Sequence, residues 1–130
     1  MRVSHLIEED AAKQAKKGVY PDLKLRVLKS LPNQQFVGEI LATGVAPMPN
    51  RYTETWEPED MAFLLVAEPT NPTTIWRVVL RITLLTQVIE EWGDETDYWL
   101  GKWIRLGVEG QTANYIGQRA LELFESDPRT

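Results

Sequence analysis

The chain has no cysteine and a single histidine, His5, among its 130 residues. Without thiols there is no disulfide, no thiolate zinc centre and no cysteine nucleophile. One imidazole in a polar leader supports neither a histidine metal site nor a histidine-based triad. Long apolar runs are also missing: none approaches the roughly 18 residues of a membrane span, and the longer ones carry charge. The stretch Met1 to Asp10 lacks the apolar core of a secretory signal. No Gly-rich phosphate loop or nucleophile elbow occurs. Carboxylates do cluster, at Glu54, Glu57, Glu59 and Asp60 and again at Asp94, Glu95 and Asp97. Neither group has a partner base, and neither has the spaced oxygens and central glycine of a calcium loop. The expectation is a non-enzyme with no cofactor, no metal and no membrane association, cytoplasmic in location (the host cytoplasm if the chain is viral).

Cations are in short supply too. Lys and Arg number 14 against 19 Asp and Glu, for a net charge of −5 and a pI near 4.9. That balance argues against a generic nucleic-acid coat, because affinity for phosphate comes largely from releasing condensed counterions. It leaves room for a local cationic face. A hydrophobic fraction of 43% with five tryptophans describes a folded chain, and the length suits one domain.

Breakers divide the sequence into extended pieces. Residues 1–20 read as a helical or frayed N-terminal arm, with Glu9 four residues before Lys13, Gly18 as a stop and a thin apolar face of Leu6, Ile7, Ala11 and Ala15. It is either a solvated leader or a contact to a partner or second copy. The body is then 21–130. Asp22 to Ser30 suits a short strand or a turn of helix, and Pro32-Asn33 punctuates. Gln35 to Val45 alternates poorly, with apolar residues on both faces and glycines at 38 and 44, as in the bent first strand of a small barrel. Ala46 to Asp60 reads as a long loop, Met61 to Glu68 as a strand and Pro69 to Pro72 as a turn. Thr73 to Ile82 alternates most clearly, setting Trp76, Val78, Leu80 and Ile82 against Arg77, Val79 and Arg81. Thr83 to Trp92 has helical spacing, with Thr83 as N-cap and Gly93 just past the end. Lys102 to Val108 is a strand with Ile104 and Leu106 inward, Asn114 to Gly117 a hairpin turn, and Arg119 to Glu125 the last strand. The order β-β-β-α-β-β, with one core helix near 83–92, predicts a mostly β protein built as a small five-stranded OB-like barrel.

The run Val78-Val79-Leu80-Arg81-Ile82-Thr83, followed by Gly93-Asp94-Glu95-Thr96-Asp97-Tyr98-Trp99-Leu100-Gly101-Lys102, resembles the C-terminal half of small bacteriophage and prophage OB-fold-like proteins. These are described as single-stranded-DNA-binding or replication-associated. The likeness covers roughly residues 60–125. It departs where family members tend to carry polar amides between strand and helix, since this chain has Arg81 and Leu84. Much of the motif reads as structural: Gly93 ends a helix, Asp94 to Asp97 turn the chain and Trp99 packs beneath the barrel.

Single strands are held by aromatic faces that stack on bases and by cations that follow the backbone. Such residues occur in three places: Arg77 and Arg81 on the third strand, Trp103 beside Arg105 on the fourth, and the 1–2 and 4–5 loops, with Arg51 and Tyr52 in the first and Tyr115 and Arg119 in the second. These eight are the candidate nucleic-acid-binding residues. The expected function is non-catalytic binding of single-stranded DNA, or RNA, in phage or prophage DNA metabolism. The alternative is an acidic interaction module, suggested by the 54–60 and 94–97 carboxylates, that recruits replication or recombination proteins or blocks a host defence complex.

Overall fold

The computed structural model of the chain describes residues 20–49, 58–68 and 71–129. The N-terminal arm, Arg51 and Tyr52 lie outside the described residues. The element order is α1 (Leu25–Ser30), β1 (Gln35–Pro49), β2 (Pro58–Glu68), β3 (Asn71–Leu80), α2 (Ile82–Trp92), β4 (Trp103–Glu109) and β5 (Gln118–Phe124). The strands form one antiparallel sheet in the order β3-β2-β1-β4-β5, with α2 between β3 and β4.

β1 explains the poor alternation of its sequence. Ile40 pairs with Val66 and Ala42 with Leu65, so Leu41 is an extra residue, a bulge. One inserted residue moves every later side chain to the opposite face. Ile40 therefore joins the inner core, whereas Ala42 and Ala46 join a second cluster with Phe63 and Leu65 on the outer face. β1 and β2 also continue much further than expected. The predicted 46–60 loop shrinks because β1 runs to Pro49, which pairs with Pro58. Pro47 and Pro49 are tolerated there because β4 pairs only with Gln35 to Glu39, so that end of β1 has no strand on its β4 side among the described residues.

The inner core gathers Ile40, Leu64, Val66, Val78, Leu80, Ile104, Leu106 and Leu121 from the sheet. Leu23 and Leu28 close it from the α1 side, Leu84 and Val88 from α2, and Trp99 from below. α2 begins one residue before the expected helix: Arg81 is its N-cap, with no side-chain hydrogen bond to the cap. Ile82, assigned from alternation to the core face of β3, is instead the first helical residue and 76% exposed. At the other end Gly93 has φ +84, and its N–H donates to Ile89 O at 2.7 Å. The Gly93–Lys102 motif is largely architectural. Trp99 is buried and its Nε1–H donates to Gly93 O at 2.9 Å, while Gly101 N–H donates to Ile40 O and Ile40 N–H to Lys102 O.

The sheet does not close into a barrel: β3 and β5 are its two edges. Pro21 to Leu23 already occupies part of β3's free edge. Leu23 N–H donates to Arg77 O, and Arg77 N–H donates to Pro21 O, each at 2.8 Å. β5 reaches across through side chains instead. Arg119 Nη2–H donates to Val79 O at 2.9 Å and Nη1–H to Leu23 O at 3.4 Å, while Gln87 Nε2–H donates to Leu121 O at 2.5 Å. With β3's backbone groups satisfied locally at Arg77, direct β3–β5 pairing gains little. Among the described residues no helix is long and apolar enough to cross a membrane.

Candidate nucleic-acid interface

Of the eight residues singled out from the sequence, the six that are described do not share one groove. Arg77, Arg81 and Arg119 come together at the β3/β5 seam. Arg77 Nε–H donates to Asp22 Oδ1 at 2.5 Å, and Arg119 hydrogen-bonds Val79 on β3 and Leu23 beside Asp22. Burial lowers the pKa of Arg119, the charge of Arg81 lowers it further, and Asp22 partly offsets both. Arg119 was expected beside the 4–5 turn on the ligand side. It instead shares the inner face with Leu121, because the β4/β5 register places it opposite Val108.

Trp103 and Arg105 lie on β4, next to β5 and three strands from β3 in the sheet order. Trp103 is only 7% exposed, which corrects its expected role as an open stacking platform. The cause is the segment after β5: Arg129 lies 5.3 Å from the Trp103 ring centroid and is anchored by Asp127 at 3.1 Å and Glu68 at 3.0 Å. Hydrogen bonding to Asp127 raises the Arg129 pKa. Arg105 is likewise engaged, with Glu122 at 3.2 Å and the Phe124 ring at 5.2 Å, and its buried Nε has no hydrogen-bond partner. Tyr115 is 52% exposed on the 4–5 turn, held by reciprocal backbone hydrogen bonds with Thr112. The outer face of β1 and β2 is apolar at its centre, since Phe63 and Leu65 are buried there beside Ala42 and Ala46. The usual OB ligand surface, the outer side of strands two and three, therefore offers few polar groups.

The structure adds residues that the sequence reading passed over. Lys24, Arg26 and Lys29 stand on or beside α1 and make no ion pair, and Arg81 makes none either, among the described residues. α1 is helical because its apolar residues fall on one side, with Leu28 buried in the inner core, which turns Arg26 outward. The signal was present in the chain: from Leu23 to Gly38 there are three cations and no acid. The Arg119–Leu23 hydrogen bond joins the seam arginines to the start of α1. Three cations at the seam, one of them paired with Asp22, thus connect through Leu23 to three more on or beside α1, a track of cations on a molecule that is acidic as a whole.

That track can hold anionic oxygen. Arginine forks bind phosphate bidentately and lysines act as mobile point charges. The partly desolvated guanidinium of Arg119 makes an added anion more favourable, because burial penalises its charge. Among the described residues no group of three or more His, Cys, Asp or Glu side chains is arranged to hold a metal ion. Comparison with protein-family models, with curated proteins and with solved structures finds no match.

Proposed function

We propose that this chain is a non-catalytic single-stranded nucleic-acid-binding protein that grips the phosphate backbone along α1 and the β3/β5 seam. The observation that carries the reading is the meeting of Arg77, Arg81 and Arg119 at the seam, joined through Leu23 to Lys24, Arg26 and Lys29 on or beside α1, in a chain of net charge −5. Five of those cations, all but Arg77, have no ion-pair partner among the described residues, so binding phosphate costs no existing salt bridge there. Support also comes from the element order β-β-β-α-β-β and from the resemblance of residues 78–102 to phage OB-fold-like proteins, with DNA metabolism as the setting. The open seam replaces the closed barrel of that fold, and the cationic track replaces the strand faces first expected to bind.

The test is titration of labelled oligo-dT by anisotropy over a range of salt. Contacts to about four phosphates give a slope of log K against log salt near −3 on a single strand. The combined reversal Lys24→Glu, Arg26→Glu and Lys29→Glu is expected to abolish binding at low salt, and Arg105→Glu to change it little. A wild-type protein that ignores oligo-dT at low salt, or a triple reversal that binds normally, removes the proposal.

A second reading has one observation in its favour. Glu90, Glu91, Asp94, Glu95 and Asp97 are all exposed and without ion pairs among the described residues, next to Tyr98 at 68% exposure. Glu90 and Glu91 sit in the last turn of α2, where the helix dipole disfavours negative charge. An acidic face with an exposed tyrosine suits recruitment of a basic protein partner. Affinity capture from phage-infected lysate, with wild type and Tyr98→Ala in parallel, distinguishes it: a partner held by both chains alike speaks against this face.

A further inference from the structure

The inner face of the sheet opens where α1 ends. Pairing of β1 with β2 begins at Glu39 opposite Ala67, so Phe36 lies beyond the last matched pair on that side. The opening is a cleft of about 180 Å³ lined by Leu31, Phe36, Glu68, Thr74 and Trp76. Whole small-molecule sites begin near 300 Å³, so this one suits a single planar ring. Leu31 follows the final residue of α1 directly, and Lys29 stands in the helix's last turn. The cleft therefore adjoins the end of the cationic track.

Its walls suit a base and not a phosphate. Phe36 and Trp76 are half-buried, each leaving part of its surface open to solvent. Phe36 lies close along β1 because residue 38 is glycine: a Cβ there would come within 2.6 Å of Phe36 Cε1 and 2.8 Å of Ala67 O. The ionisable group of the lining is Glu68, whose Oε1 accepts from Arg129 Nη1 at 3.0 Å. Even when paired with Arg129, a carboxylate has acceptor capacity for base N–H groups, as the Thr74 hydroxyl also has.

We infer that this cleft receives one unstacked nucleobase of a strand whose phosphates lie along Lys24, Arg26 and Lys29. The inference rests on the nucleic-acid reading above and assigns the base to a place other than the outer β2–β3 surface or the Trp103 face. Base–aromatic stacking is sequence-tolerant, so any base fits this role.

The experiment compares oligo-dT of about twelve nucleotides with an abasic strand of the same backbone, within the range of single-domain site sizes. Wild type is expected to bind oligo-dT about tenfold more tightly than the abasic strand. Trp76→Leu is expected to bring oligo-dT down to the abasic affinity without changing the abasic value. Equal binding of both strands by wild type, with loss of both in the Lys24/Arg26/Lys29 reversal, overturns the cleft and keeps the phosphate track. No binding of either strand at low salt overturns both. Trp76 also borders the inner core, so the substitution can compromise folding; the wild-type protein supplies the second measurement. Photocrosslinking to iodouracil-substituted oligonucleotide should give adducts at Trp76 or Phe36, and adducts confined to other residues refute the assignment.

Discussion

Gly44 stands opposite Phe63 in the β1/β2 register, and the Phe63 ring occupies the space a side chain would need. A Cβ at residue 44 would lie 2.4 Å from Phe63 Cζ. Phe63 is fully buried among Ala42, Ala46 and Leu65, so the ring has nowhere to withdraw. Gly44→Ala therefore overpacks the outer cluster and is expected to cost about 1–3 kcal/mol. Urea unfolding should show a lower midpoint at unchanged slope; an unshifted midpoint means the ring moves freely. Nothing in the sequence paired this glycine with that phenylalanine, because the pairing depends on the bulge at Leu41. Trp103 was misjudged for a related reason. Strand alternation correctly set it on the face opposite Ile104, but that face carries cover from Arg129, 26 positions away in the chain.

At the scale of elements, the legible ones were those governed by local rules. β3 alternates, α2 has helical spacing and a glycine stop, and β4 places Ile104 and Leu106 inward, all as the chain implies. β1 and α1 were less legible, the first because one extra residue inverts its pattern, the second because six residues hold too little periodicity to decide. The open seam was beyond sequence reasoning altogether, since it depends on Pro21 to Leu23 bonding to the edge of β3. Arg119 is the side chain that joins the two edges there. Arg119→Met removes the donors to Val79 O and Leu23 O, a loss of about 1–3 kcal/mol reduced by no longer desolvating a charge. Lysine is a poor replacement, because it lacks the planar fork that reaches both carbonyls. Hydrogen exchange should quicken at the Leu23 and Arg77 amides, which pair the 21–23 segment with β3 beside the Arg119 contacts, and stay slow at Leu64 in the middle of the sheet. Equal acceleration at all three would show that Arg119 supports the fold as a whole and does not hold the seam in particular.

For the whole molecule, the proposed function requires a chain of charge −5 to attract a polyanion. The charge is unevenly spread: cations collect along α1 and the seam, while Glu90, Glu91, Asp94, Glu95 and Asp97 face solvent at the end of α2 and in the turn after it. A domain of this length has a radius of gyration of about 14 Å. The Debye length is about 30 Å at 0.01 M salt and about 8 Å at 0.15 M. At the lower salt a bound strand feels every charge on the protein, including the repelling acids; at the higher salt it feels mainly those it touches. Neutralising the acidic face with Glu90→Gln, Glu91→Gln, Asp94→Asn and Glu95→Gln should therefore raise oligo-dT affinity severalfold at 0.01 M and leave it nearly unchanged at 0.15 M. A gain of the same size at both concentrations would place those carboxylates in contact with the strand, and the track along α1 would then not be the binding surface. Both measurements use the same labelled strand, so the ratio of the two gains, free of differences in protein concentration, decides between the two geometries.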